Sequence, residues 1–315
     1  MISYIIRRLG QAVIVILGVT FLVFILRHLL PGSIARAILG LHAGPQAIAD
    51  FNKANGLNKP LPLQYVAYLN QLIHGNLGYS FKQNMSVDSI IRNELPNDVL
   101  LVGASLVLSL LIAIPLGLLQ AVKRNSITDY AATGISFILY SMPSYLLGLL
   151  LIAFFAVNLR LLPASAPNAS TLGGVLSNPS GLVLPIATLT LVTCALFSRY
   201  MRSSAIDGLA QDYIRTAKAK GVGTSGILFK HLLRNSLIPV ITLVGISLPG
   251  ILTFGLIIEQ LFNFPGVGLS YYTAALNGDY PVVYGITVLV ALVTVLGNLF
   301  ADVAYAVLDP RVRYG

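Results

Sequence analysis

The chain alternates long uncharged runs with short stretches where its charged residues gather. Six runs, at about 9–26, 99–119, 130–157, 181–198, 235–258 and 280–301, contain no Asp, Glu, Lys or Arg. A helix needs about 20 residues to cross a hydrocarbon core of ~30 Å, with ~17 as the lower limit. The pattern therefore predicts six membrane-spanning helices. The first run follows Arg7 and Arg8, as a signal peptide would. It is too long for such a core, however, and Arg27, His28, Leu29, Leu30 and Pro31 follow it instead of a small-residue cleavage site, so it reads as a retained span.

Composition agrees with the pattern. The 315 residues are 56% hydrophobic and 10% charged, with mean hydropathy +0.81, where soluble domains carry about 25% charged residues. There is no tryptophan, so an interfacial aromatic belt falls to the 15 tyrosines and to phenylalanine. The net charge of +9 does not point to nucleic acid, because the cations fall mainly in short loops between spans. Those loops set the orientation. With the N-terminus inside, the inner side receives Arg7, Arg8, Lys123, Arg124, Arg199, Arg202, Arg215, Lys218, Lys220, Lys230, Arg234, Arg311 and Arg313, and the short outer loops receive only Arg160. Both termini are expected in the cytosol.

The connection from about 27 to 98 is external in this topology. Turn signals at Pro31-Gly32, Gly44-Pro45 and Asn58-Lys59-Pro60 alternate with helical patterns. Gln64–His74 puts Tyr65, Tyr68, Leu69 and Leu72 on one side, and Val87–Leu95 aligns Val87, Ile90, Ile91 and Leu95 before Pro96. The expectation is a small cap of short helices, with a two-stranded element as an option. The Val87–Leu95 piece either lies on the outer interface or packs on the spans.

Pro115, Pro143, Pro185, Pro239 and Pro249, with Gly134, Gly148, Gly245, Gly250 and Gly255, interrupt the spans. Proline frees carbonyls and kinks a helix, and small residues allow close approach. Ordinary enrichment of these residues in membrane helices accounts for any one of them. The density from 239 to 255 predicts a mobile or cavity-lining fifth span, with Pro143, Pro239, Pro249 and Gly250 as candidate hinge or pathway positions.

Catalytic and energy-coupling chemistry is not visible. No GxxxxGK[ST] loop, HExxH or CxxC occurs, and His28, His42, His74 and His231 lack ligand spacing. The lone Cys194 reads as a small buried hydrophobe. Within the spans, the candidate ionisable groups are Glu259, at the outer end of the fifth, and Asp302, near the inner end of the sixth. A secondary carrier would be expected to show midplane ionisable residues and inverted repeats, and an enzyme or scaffold a catalytic constellation.

The segment Asp212–Val240 separates two uncharged runs and holds five Lys/Arg residues, so it lies in water. Asp212 is placed to cap a helix over Tyr213–Lys220 that Gly221 ends in a left-handed conformation. Tyr213, Ile214 and Ala217 cluster, Arg215, Lys218 and Lys220 spread over the rest, and Thr216, Ala217 and Ala219 are small enough for another backbone to approach. A helix this short needs a surface to pack on. A second amphipathic helix follows, with Ile227, Leu228, Leu232 and Leu233 against Lys230, Arg234 and Asn235, and runs into the fifth span. Two readings fit: a docking element for a cytosolic partner, or an interfacial helix facing anionic headgroups.

The series Asp212-Tyr213-Ile214-Arg215-Thr216-Ala217-Lys218-Ala219-Lys220-Gly221, followed by Leu233-Arg234-Asn235-Ser236-Leu237-Ile238-Pro239, resembles the coupling loop of ABC-importer permease subunits of the dipeptide/oligopeptide/nickel branch. The resemblance extends along the chain in order: Gly56–Leu61, Gln64-Tyr65, Gly75–Ser80, Ser141–Tyr145, Glu259, Phe262, Pro265-Gly266-Val267-Gly268, Asp279–Val282 and Leu308–Arg313. It departs at Ser33-Ile34, where the family carries Asp-Pro, and at Arg215 and Arg234, where the general loop pattern has Glu and Pro.

The resemblance implies an all-α permease of six spans with a cap between the first two, of the first of two paired subunits. Its parts would be residues 1–30 (N-terminus and first span), 31–97 (cap), and a core over 98–310. The core would hold spans at 98–122, 129–157, 181–201, 236–259 and 281–308, the coupling loop at 202–235 and an outer loop at 260–280. Residues 309–315 would be a cytosolic tail. The implied partners are a homologous second permease, two cytosolic ATPases that alone bind ATP and Mg, an external substrate-binding protein, and membrane lipid; no nucleic acid and no cofactor of its own are implied. Asp212, Tyr213, Arg215, Thr216, Ala217, Lys218, Ala219, Lys220 and Gly221 would engage an ATPase, and Glu259, Pro265, Gly266 and Asp279 would serve outer docking or gating. The cargo would be peptides, with nickel chelates, glutathione or opines as alternatives and selectivity residing largely in the binding protein.

Overall fold

Unpaired backbone groups are not tolerated in hydrocarbon, so apolar runs of this length must become helices, and all six do. The computed structural model describes residues 2–29, 35–36, 39–40, 43–167, 169 and 171–308, the side chains of 2–5, 246–254 and 300–308 excepted. Helix α1 (Ile2–Leu29) leads to the cap, which contains α2 (Pro45–Ala54), α3 (Leu61–Ile73) and an antiparallel hairpin of β1 (Tyr79–Ser80) and β2 (Met85–Ser86), with Tyr79 opposite Ser86. Then come α4 (Val87–Val122), α5 (Ile127–Ser141), α6 (Ser144–Leu151) with a π-helical continuation over Ile152–Asn158, α7 (Leu172–Leu176) and α8 (Ser180–Leu209). The short α9 (Asp212–Ala219), a turn at Thr224–Gly226 and a π-helical stretch Ile227–Leu232 precede α10 (Leu233–Phe262), α11 (Val267–Asn277) and α12 (Tyr280–Leu308). Among the described residues five helical stretches are long and apolar enough to span, and the bent pair α5–α6 makes a sixth if it is one span.

Two boundaries differ from the hydrophobic pattern in ways that matter. Helix α4 starts at Val87, not near 98, and runs through Pro96. Val87, Ile90 and Ile91 are buried with Val267, Ala274, Val282 and Ile286, so this piece packs on α11 and α12. Tertiary burial here outweighs the proline's local penalty. The third run is not straight: α5 and α6 meet at 106°. Pro143 disfavours helical backbone at the residue before it, Met142 is extended (ψ 130°), and the Pro143 carbonyl accepts from Leu146 and Leu147 to start the next helix. Among the described hinge candidates, the break falls at Pro143; Pro239 and Pro249 lie inside an unbroken α10. The side chains around Pro249 and Gly250, and that of Asp302, lie outside the described residues, as do Pro31-Gly32, Ser33-Ile34 and 309–313.

The core has two halves along the bundle. On the cap side Leu101, Leu182, Leu184, Leu189, Ile258, Phe262 and Phe264 pack together. At the opposite end Leu118, Ala121, Met201, Ala205, Leu232 and Val240 do so with α9. Helices α4 and α8 form the most extensive pairing between them. The cap is tied to α1 by polar contacts that explain the Gln64-Tyr65 pair: Gln64 Oε1 lies 3.0 Å from His28 Nε2, and Tyr65 donates to the Leu17 carbonyl at 3.0 Å.

Candidate functional site

Helix α9 is held from both ends. Gln211, not Asp212, occupies the N-cap position with extended backbone, and Asp212 is the first helical residue, where its charge complements the helix dipole. At the other end Val222 N–H donates to the Ala217 carbonyl (3.1 Å) and Gly221 N–H to that of Lys218 (3.0 Å), with Gly221 at φ +75°. This is a Schellman closure, which requires the left-handed residue that glycine supplies without strain.

The eight-residue helix does not stand alone. Ile214 is fully buried and Ala217 is 5% exposed, both in the cluster formed by α4, α8 and the start of α10. Ala217 therefore faces its own chain and is not available to a partner's backbone. The outward face is Asp212, Arg215, Thr216, Lys218, Ala219 and Lys220, three cations against one anion. Arg215 and Asp212 approach at 3.4 Å, but both are largely exposed, a geometry of little energetic weight. Tyr213 is half-buried, with its hydroxyl beside Gly208 and unpartnered among the described residues. Lys230, Arg234 and Asn235 are exposed on the following turns. There the backbone is π-helical from Ile227 to Leu232 and passes into α10 with no intervening loop. Ile214 and Ala217 of α9 share a buried cluster with Ile227 and Leu232 of that stretch.

The far end of α10 carries the second constellation. The helix stops at Asn263 in a left-handed conformation (φ 49°), and Pro265-Gly266 leads into α11. Three carboxylates converge on the first turn of α11. Val267 N–H donates to Asp98 (3.2 Å), Leu269 N–H to Glu259 Oε2 (2.9 Å) and the Ser270 hydroxyl to Glu94 Oε1 (2.7 Å), while Asn97 Nδ2 donates to the Pro265 carbonyl (2.7 Å). Unsatisfied N–H groups at a helix N-terminus favour anions, which is why acidic side chains are tolerated here. Glu94 and Asp98 fall one turn apart on α4 and escape a reading built on the uncharged run 99–119. They add to Glu259 as ionisable groups within the long helices. The glycines of Pro265-Gly266-Val267-Gly268 are explained by the same crowding. A Cβ on Gly266 would collide with the Asp98 and Glu259 carboxylates, and one on Gly268 would lie 2.7 Å from the Leu256 Cα and 2.8 Å from Glu259 Oε2.

Glu259 and Asp279 are 2% and 4% exposed, so neither presents a surface for docking. Asp279 instead accepts from the Ser80 hydroxyl, and Lys82 Nζ donates to the Asn277 carbonyl, fastening the hairpin to the α11–α12 turn. Beside the carboxylates lies an apolar cavity of about 280 Å³ bounded by Leu95, Asp98, Leu256, Tyr271 and Val290. Helix α11 is therefore pinned at its N-terminus and loosely packed along one flank. Among the described residues no group of His, Cys, Asp and Glu is arranged to hold a metal ion.

Gly268→Ala should lower the thermal midpoint of the detergent-purified chain by an amount matching ~1–3 kcal/mol, because its obstacle is partly backbone. Gly173→Ala, with nothing within 4 Å, is the control. Equal midpoints for the two variants would contradict the close approach of α11 to α10.

The family model for the "Binding-protein-dependent transport system inner membrane component" matches residues 113–314, and the model for the N-terminal membrane component of the same systems matches 1–102. The oligopeptide transport system permease protein AppB of Bacillus subtilis is 37% identical, with 100% of each chain covered. The dipeptide permease DppB of Alkalihalophilus pseudofirmus is 36% identical and the glutathione permease GsiC of Salmonella paratyphi A 35%, each over 100% of both chains.

Proposed function

The chain belongs to the binding-protein-dependent transport system inner membrane component family, and from that membership we propose that it forms one membrane half of an ATP-driven peptide importer. The observation that carries the reading is full-length similarity to proteins named as oligopeptide and dipeptide transport permeases. Peptide is the cargo class, and the glutathione permease among the relatives keeps a small γ-linked peptide within that class as a second reading.

In this reading both termini and α9 lie in the cytosol, and the exposed Arg215, Lys218 and Lys220 meet an acidic groove of an ATPase subunit. The support is that α9 is anchored by Ile214 and Ala217, which leaves the cationic face free. The uninterrupted path from the π-helical turn into α10 supports a push delivered at α9 arriving at the Asn263–Gly266 corner. There Glu259 of α10 grips the first turn of α11 while Asp98 ties that turn to the start of α4, so these three ends would move together as one outer gate. A homologous second permease would complete the pathway, and an external binding protein would deliver cargo at the cap side.

The test is ATP-dependent uptake of labelled di- and oligopeptides by the complex reconstituted in proteoliposomes. Lys218→Glu combined with Arg215→Glu should reduce uptake at least about tenfold and reduce ATPase co-purification, with the thermal midpoint unchanged, since both sites are exposed and surface substitutions shift stability by only ~0.5 kcal/mol. Unchanged uptake and unchanged ATPase association would sink the coupling assignment. Ala217→Asp is a poor substitute, because it buries a carboxylate in the chain's own core. A wild-type complex that moves no peptide under ATP would sink the peptide reading itself.

A further inference from the structure

A cavity of about 220 Å³ lies where α1 ends against α3, the hairpin and the start of α12, and its floor holds Arg27. The position of this arginine in the membrane follows from α1 itself. It lies 19 residues beyond Arg8, or ~29 Å along a helix, so the two mark opposite boundaries of a ~30 Å hydrocarbon core. Arg27 is therefore at headgroup depth. It shares a helix face with the buried Val23 and Phe24, so it points into the protein, while Leu22, Leu26 and Leu29 on the other side are 54–72% exposed.

Among the described residues Arg27 meets no anion. Its guanidinium makes neither a hydrogen bond nor an ion pair with them, only a stack over the Tyr68 ring at 5.5 Å, and no Asp or Glu lines the cavity. A half-buried cation with no counter-charge among the described residues is poorly compensated. The walls supply further donors. The Tyr68, Tyr280 and Tyr284 hydroxyls and the Gln71 amide have no partner among the described residues, and Asn76 uses its Oδ1 for Gly78 N–H at 3.0 Å, leaving its amide hydrogens. Burial pushes the Tyr68 phenol up to about 12, so it stays a donor at neutral pH. The cavity thus combines one unpaired positive charge with a surplus of donors, at a depth where phosphates are the abundant anions.

We propose that this cavity is a binding site for the phosphate of a phospholipid headgroup, with Arg27 as the charge partner and the tyrosine hydroxyls and amides as the hydrogen-bond donors. An occupied site would wedge α1, α3 and α12 together and so hold the cap on the bundle.

The test is native mass spectrometry of the full chain released from micelles, titrated with phosphatidylglycerol, with diacylglycerol of the same chains, and with inorganic phosphate. The wild type should retain one more phosphatidylglycerol than Arg27→Gln, whose affinity should fall at least about tenfold. Arg27→Lys should retain lipid with an intermediate affinity, and Arg160→Gln, an exposed cation away from the cavity, should match the wild type. If Arg27→Gln does not fold, Tyr284→Phe, which removes one donor, should weaken retention several-fold. Equal lipid retention by wild type and both Arg27→Gln and Tyr284→Phe overturns the site. Retention of diacylglycerol as strong as that of phosphatidylglycerol overturns the role of the phosphate. Saturation by inorganic phosphate with no displacement of lipid overturns the lipid as its source.

Discussion

Arg202→Met should destabilise the chain more than Asp129→Asn, although the two variants break the same ion pair. Arg202 Nε and Nη2 donate to the two Asp129 oxygens at 2.7 and 2.8 Å, a bidentate fork that joins α5 to α8. The side chains are unequally covered: Asp129 is 1% exposed and Arg202 27%. Removing the arginine strands a covered carboxylate, for which ~3–5 kcal/mol is the general range. The lower part of that range applies, because Asp129 is covered by its own partners near the end of α5 and is not sunk in a deep core. Removing the carboxylate's charge leaves an arginine that can turn toward water. The side-chain carbonyl that Asp129→Asn introduces can still accept from Asn125 N–H, which donates to Asp129 at 3.0 Å in the wild type. The expected loss is then closer to that of one charged hydrogen bond, ~1.5–3 kcal/mol. The double variant should recover part of the Arg202→Met loss. Unfolding of the three variants in one detergent checks this, and an Asp129→Asn loss equal to or above that of Arg202→Met would refute it. The consequence reaches α9, because Met201 and Ala205, on the same stretch of α8, form the floor on which Ile214 and Ala217 seat it.

Asp129 also shows where the sequence stops being readable. Its neighbours in the chain mark the start of a span, but nothing local announces a partner 73 positions away. The apolar runs, the left-handed Gly221 and the cap helices are legible because each depends on short-range rules: a length set by the bilayer, a backbone angle, a periodicity. The start of α4 is not, since Val87, Ile90 and Ile91 become part of the helix only by packing on Val282 and Ile286. Glu94 and Asp98 are hidden by the same boundary. Pro143 predicts a break, but neither the 106° angle nor the close approach of Gly148 to Leu261 and Phe262 of α10 can be read locally. Likewise Ala217 is as small as Ala219 in the sequence, and only the placement of α4 and α8 decides that one faces in and the other out. The Asp212–Val240 segment is therefore legible as a stretch of chain, while the surface it presents is not.

Two glycines on α4 should respond to alanine with opposite signs. At Gly117 an added Cβ would stand 2.7 Å from Met201 Cβ, 2.7 Å from the Ser198 carbonyl oxygen and 2.9 Å from Arg202 N. Two of the three obstacles are backbone, so no side-chain rotation relieves them and α8 itself must retreat. Overpacking of this kind costs ~1–3 kcal/mol, and more when backbone must move. Gly117→Ala should sit at the top of that range, and Gly117→Leu should leave little folded chain. At Gly103 nothing lies within 4 Å, and Gly→Ala in a helix interior is worth about 0.5–1 kcal/mol in favour of the alanine. Gly103→Ala should therefore raise the thermal midpoint, or at least not lower it. Because Gly117 meets α8 at Ser198–Arg202, retreat of that helix also lengthens the Arg202–Asp129 fork. The losses from Gly117→Ala and Arg202→Met should then combine to less than their sum, as coupled neighbours do. Additive losses would mean that the α4–α8 contact and the ion pair are independent, and a shift of the same sign at both glycines would mean that the helices do not approach as closely as Gly117 requires.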